Sequence, residues 1–249
     1  FTLPPPYREV SDLASTPRGL VASASIDALT VDGAVLVRHH RGQTERLLTW
    51  EGQGFLRVHA LGSTLLVPDA DAPFRALPFL FDLDVDGYVF VSSPDGTFAR
   101  SQRAVIPAVY HVFDTARLVD GRVVASTGAY RPEAIPYVSR GAPAALFVDA
   151  GGDRPWRRVL EYPDRNAAGV WRFTFLHTLD DGSLLAGVES PQGPSAARIT
   201  GVDTRPVVHP IADLRGYVLR WVGDGADVYA FVLQHGEPAL WRSRDGGVT

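Results

Sequence analysis

Apolar and polar positions alternate in short runs along this chain, and four of the runs share one form. Phe55–Val67, Val109–Ser126, Val170–Val188 and Tyr217–Val232 each end in a tight glycine turn and restart as a short apolar segment. A run of 4–7 residues rich in Val, Leu, Phe, Trp and Tyr, bounded by Asp-Gly or Gly-rich turns, is the signature of a β-strand. No stretch combines apolar residues at i, i+3, i+4 and i+7 with freedom from Gly and Pro, so no helix is expected. Asp-Gly occurs at residues 32–33, 86–87, 95–96, 120–121, 181–182, 224–225 and 245–246. Asp and Gly tolerate the positive φ that tight hairpins demand, so these pairs mark hairpin ends.

The turn glycines Gly62, Gly121, Gly182 and Gly225, with an earlier candidate at Gly19, recur at separations of 43 to 61 residues. That is the length of one four-stranded unit with variable loops. Between these inner hairpins lies an outer strand pair: Val35–Val37 before Arg46–Trp50, Tyr88–Ser92 before Phe98–Gln102, and Ala145–Val148 before Trp156–Leu160. One hairpin cannot bury its apolar face alone, so stacked copies are required. The pattern predicts a single all-β domain over 1–249, a β-propeller of four-stranded antiparallel blades. About five blades are visible, at 7–50, 55–105, 109–162, 170–212 and 216–249, and a total of six or seven follows if further blades exist. The last lacks its final strand. Tyr7-Arg8-Glu9-Val10 resembles Trp156-Arg157-Arg158-Val159, so residues 1–10 are a candidate to close the ring by pairing with it.

Composition narrows the function classes. The formal charge of −4 argues against nucleic acid, which selects a basic face, and no apolar run reaches membrane-helix length. All 24 cationic side chains are arginine, which reflects base composition more than chemistry. Cysteine is absent, which rules out disulfides and thiolate metal sites. The chain opens at Phe1 without methionine or signal peptide, as a processed export product would, and an extracellular, periplasmic or cell-surface location is expected. Pro4, Pro5 and Pro6 make an extended lead-in.

The sharpest local motif is Ser243-Arg244-Asp245-Gly246-Gly247-Val248-Thr249, which matches the start of the Asp-box, Ser-x-Asp-x-Gly-x-Thr-Trp. Ser93-Pro94-Asp95-Gly96-Thr97-Phe98 is a one-residue-short relative, and Asp149-Ala150-Gly151-Gly152 leading to Trp156 is a looser one. At these points the chain resembles the BNR/Asp-box repeat proteins, a propeller superfamily that includes the sialidases. The resemblance implies a structural Asp-box, whose serine and aspartate satisfy turn backbone groups away from the active face. It does not extend to sialidase chemistry. The Phe-Arg-Ile-Pro motif is missing, Phe55-Leu56-Arg57-Val58 being its nearest stretch, and the one Glu–Tyr neighbour pair is Glu161-Tyr162, in an outer strand.

Aligning inner strands on their turn glycines gives the candidate site. Ten residues before Gly121, Gly182 and Gly225 stand His111, Arg172 and Arg215, while Gly52 takes that place before Gly62. In a propeller these positions ring the mouth of the central channel. A histidine with two arginines favours an anionic or glycan ligand, since guanidinium pairs with carboxylate or phosphate through two parallel bonds. Asp114, three residues beyond His111, is placed to orient the imidazole. The alternative is a wet lining that fixes the strand starts. Asp82, Asp84 and Asp86, at alternate positions before Gly87, resemble the opening of a calcium loop, although Ser93 stands where an EF-hand would carry Glu. Alternating Asp on the wet face of a strand is the competing explanation, and calcium is the one cofactor suggested.

These residues point to a secreted propeller that binds or scaffolds, with a glycan or protein partner, ligand contacts at His111, Asp114, Arg172 and Arg215, and no catalytic residue assigned. A glycan-active hydrolase or lyase would need two carboxylates converging about 5–10 Å apart over the mouth, and Asp114 is the one carboxylate placed there. A subunit of a larger cell-surface assembly is the third reading.

Overall fold

The computed structural model describes residues 9–25, 34–50, 58–61, 64–68, 89–92, 97–100, 105–106, 111–128, 144–150, 154–162, 170 and 172–248. Every regular element among them is a β-strand, and all pairing is antiparallel. The chain forms two compact units. One is Phe1–Val109 with Gly152–Pro155, and the other is Tyr110–Gly151 with Trp156–Thr249.

The first unit holds two four-stranded sheets in chain order. The first sheet contains β1 (Glu9–Thr16), β2 (Gly19–Ser25), β3 (Ala34–His40) and β4 (Gln43–Trp50). The second contains β5 (His59–Leu61), β6 (Thr64–Pro68), β7 (Val89–Ser92) and β8 (Phe98–Arg100). Glu9 and Val10 pair with Ser25 and Ala24 within the first sheet, while Tyr7 and Arg8 lie outside the described residues. Val21 and Leu36 pack with Val58 and Leu65 on one face, while Ala22, Ala24, Val35 and Val37 cluster separately. Strands β2 and β3 are therefore apolar on both faces, as the interior strands of a stacked array must be.

The second unit repeats the plan. Strands β9 (His111–Arg117), β10 (Val123–Gly128), β11 (Ala144–Val148) and β12 (Arg157–Tyr162) pair in order. So do β13 (Arg172–Thr178), β14 (Leu184–Ser190), β15 (Gly193–Thr200) and β16 (Val207–Arg215). One bridge, Gly128 to Arg172, joins these two sheets. Strands β17 (Tyr217–Asp224), β18 (Asp227–Gln234) and β19 (Glu237–Ser243) make a three-stranded sheet.

Burial explains the sequence pattern. Leu184, Ala186 and Val188 of β14 enter one core cluster with Phe173, Leu176 and Ile199, whereas Leu185 enters another with Leu214, Val218 and Trp221. A strand covered on both faces reads as a continuous apolar run, and each fully buried leucine stabilises by roughly 1.5–3 kcal/mol. The outermost strands β12 and β16 carry arginine, glutamate and histidine on their open faces.

The turns follow their letters. Gly121 N–H donates to the Leu118 carbonyl at 3.0 Å and Gly182 N–H to that of Leu179 at 2.9 Å. Gly121 and Gly182 have φ of 91° and 80°, a left-handed conformation that a Cβ would strain. Asp120 and Asp181 cap these turns by accepting the N–H of Arg122 at 3.0 Å and of Ser183 at 2.9 Å.

Candidate functional site

Three strands meet where the inner hairpins of β9 and β13 begin. Gly128, the last residue of β10, pairs with His111 on one side and Arg172 on the other. His111 and Arg172 therefore stand two strand spacings apart, about 10 Å, across a residue with no side chain. The placement of the His111 side chain lies outside the described residues.

Arg172 is held from two directions. Its Nη2 donates to both carboxylate oxygens of Glu189, each at 2.8 Å, and its guanidinium carbon lies 4.6 Å from the centre of the Phe113 ring. The side chains are 17% and 8% exposed, so the pair is mostly dehydrated yet reachable at its rim. Glu189 faces Arg172 directly across the β13–β14 ladder, and Phe113 comes from β9. A charge-assisted pair stacked on an aromatic face has little rotamer freedom left to lose, which suits a pre-organised recognition element. No pattern in the sequence singles out Glu189. Counting outward from the 179–183 turn would have placed it opposite Arg172, had the bulge in between been known.

That bulge explains Asp114. The β13–β14 register shifts between Thr174 and His177, and Phe175 adopts φ of 49°. The buried Asp114 carboxylate accepts the Leu176 N–H at 2.6 Å through Oδ2, and Ser126 Oγ donates to the Asp114 carbonyl at 3.2 Å. Asp114 thus ties β9 to the irregular stretch of β13.

Arg215 is placed differently from the glycine-anchored expectation. It is the last residue of β16, exposed, opposite Ser195, whereas the inner strand β17 begins at Tyr217. Gly121 and Gly182 are the fourth residues of turns begun by Leu118 and Leu179, but Gly225 directly follows the paired Asp224 in a two-residue turn. Alignment on the glycine therefore slips the register of the last copy.

The opposite strand ends carry the Asp-box segment. Ser243 Oγ accepts the N–H groups of Asp245 at 3.2 Å and Gly247 at 2.8 Å, and donates to Asp245 Oδ1 at 2.5 Å. That carboxylate also accepts the Val248 N–H at 3.0 Å, while Gly246 N–H donates to the Ala226 carbonyl at 2.9 Å. Serine and aspartate here serve the turn backbone. Arg198 bonds Asp181 through Nη2 and Ser183 Oγ through Nε at 3.1 Å, and its Nη1 reaches the Asp245 carbonyl at 3.5 Å. The Ser183 hydroxyl, donating to Asp181, holds that carboxyl below its ordinary 3.8. Arg122 does the same for Asp120 and also pairs with Asp203 at 2.5 Å. The inner-hairpin turns at Asp120 and Asp181 are thus each tied by an arginine to a loop of the next sheet.

Trp221 is buried and meets Trp241 edge-on at 6.2 Å, so it packs the core. Trp171, Ser93–Gly96 and the calcium-loop carboxylates Asp82, Asp84 and Asp86 lie outside the described residues. Among the described residues, no group of three or more His, Cys, Asp or Glu could hold a metal ion, and no helix is long and apolar enough to cross a membrane.

No protein-family model matches the chain, and comparison with curated proteins also finds no match. Solved structures do match. A chain of a nidogen/laminin complex aligns with TM-score 0.57 and 12% identity over 93% of this chain and 74% of that one. YCF48 bound to a D1 peptide aligns with TM-score 0.57 and 13% identity over 98% and 65%. The Hadza microbial sialidase Hz136 aligns with TM-score 0.56 and 11% identity over 98% and 57%. Likeness at this identity establishes the fold alone: the chain is an all-β propeller built of antiparallel sheets. Propellers of this kind include both enzymes and binding proteins.

Proposed function

We propose that this protein is a secreted or cell-surface propeller of the BNR/Asp-box kind, outside the sialidases, that acts as a binding or scaffolding module. Its ligand sits at the starts of β9 and β13, against His111 and Arg172, with Arg215 an outlying contact. The observation that carries this reading is the Arg172–Glu189 pair stacked on Phe113. Because Glu189 compensates the Arg172 charge, the pair favours a polyhydroxylated glycan over a small anion. Planar donors and acceptors side by side match vicinal hydroxyls, whereas an anion would have to displace the glutamate.

The hydrolase or lyase reading is less well supported. It needs two carboxylates free to act, whereas Asp114 is engaged with the Leu176 N–H and Glu189 with Arg172. A protein partner has a separate support, since similar propellers occur in a nidogen/laminin complex and with a D1 peptide.

The test is a screen of neutral glycans, acidic glycans and small anions on the intact chain, repeated with Arg172→Ala. Saturable binding of a neutral glycan, weakened tenfold or more by the substitution, is expected. Binding indifferent to Arg172→Ala would overturn this placement.

A further inference from the structure

A second set of polar groups converges in the first unit, on residues the reading above does not use. An open cavity of about 380 Å³ is lined by Pro17, Arg18, Arg38, His40, Gln43 and Glu45. One wall is the turn between β1 and β2. Thr16 Oγ1 fixes it by donating to the Gly19 carbonyl at 2.7 Å and accepting the Arg18 N–H at 3.2 Å. The other wall is the end of the β3–β4 hairpin, closed by Arg41 and Gly42 at φ of 50° and 80°, the turn that matches strand twist.

The charge these walls present is one-sided. Arg38 Nε and Nη2 donate to Glu45 Oε2 at 3.2 and 2.7 Å, so this guanidinium is pinned across the ladder and largely compensated. Arg18 is exposed and makes no ion pair among the described residues. In a chain of net charge −4, a lining that carries Arg18 and Arg38 against one carboxylate among the described residues, that of Glu45, is locally cationic. The Gln43 amide and the His40 ring add hydrogen-bonding groups beside it.

We propose that this cavity binds a tetrahedral oxyanion, a phosphate or sulfate group carried on a sugar-sized molecule. Arg18 supplies the two-pronged contact that guanidinium makes with such groups. A bare oxyanion would leave most of the cavity empty, while small-molecule sites start at roughly 300 Å³. Gln43 and Glu45 face the carrier and offer donors and acceptors to its hydroxyls.

Isothermal titration of the intact chain with glucose 6-phosphate, glucose 6-sulfate, inorganic phosphate and plain glucose tests this. Saturable binding of at least one ester is expected, lost tenfold or more in Arg18→Ala and weakened by salt. Esters binding more tightly than inorganic phosphate would support the carried group, whereas inorganic phosphate binding as tightly would overturn it in favour of the free ion. No saturable binding by any oxyanion, equal binding by plain glucose, or an Arg18→Ala protein that melts like the wild type and binds as well, would overturn the proposal.

Discussion

Replacing Asp114 by alanine should cost stability rather than a ligand. Its Oδ2 accepts the Leu176 N–H at 2.6 Å, where the β13 bulge takes that donor out of the ladder. Asp114 is 6% exposed and Leu176 1%, so water has little access to the abandoned N–H. A buried donor left without its acceptor costs about 1–3 kcal/mol, and a bond to an ionised group lies at the upper end. At about 2–4 °C per kcal/mol for a domain of this size, Asp114→Ala should melt roughly 4–12 °C lower. Asp114→Asn keeps an oxygen within reach and should lose about 1 kcal/mol. Urea unfolding followed by fluorescence of the buried Trp156 and Trp221 measures both. An Asp114→Ala midpoint within about 0.5 kcal/mol of wild type, or an asparagine variant as weak as the alanine one, would refute the bulge-capping role.

Three further outcomes follow from the same geometry. Ser243→Ala strands the buried Gly247 N–H at the Asp-box turn and should cost about 1–3 kcal/mol by the same unfolding assay, against no change if the serine were ornamental. Gly223→Ala should destabilise by more than about 2 kcal/mol, since φ is 111° there and an added Cβ would lie 2.3 Å from the Asp227 carbonyl oxygen; near-wild-type melting would contradict that contact. The Asp181 carboxyl titrates below its ordinary 3.8 in the folded chain, so its contribution is present above that value and lost as pH falls through the lower folded one. Asp181→Asn should therefore flatten the acid limb of the stability curve below about pH 4, and parallel limbs for the two proteins would count against it.

The strands were legible because this chain spells its hairpins with Asp-Gly and its inner strands as short continuous apolar runs, as at Val123–Ser126 and Leu184–Val188. Arg172 at the head of an inner strand was also readable, since its turn shares the form of the one at Gly121. Arg215 was misplaced because Gly225 belongs to a shorter turn, and a glycine letter does not reveal its place within a loop. Glu189 stayed hidden because a bulge at Thr174–His177 breaks simple counting across the hairpin. Arg198 joins Asp181 to the Asp245 carbonyl, a contact between residues far apart in sequence that no local pattern encodes. The site is thus half local and half a product of stacking. Residue type at strand starts is written in the chain, while the partners that neutralise and orient those residues come from neighbouring strands.

The claim at the centre of this account is that Arg172 and Glu189 act as one recognition element. The affinity of the best neutral glycan from the screen, compared between wild type, Arg172→Ala and Glu189→Gln, tests it most directly. Tenfold or greater losses in both variants, with the double variant little worse than either single one, are predicted for a shared contact. Undiminished affinity in Glu189→Gln, or a gain for small anions with no change for the glycan, would contradict it.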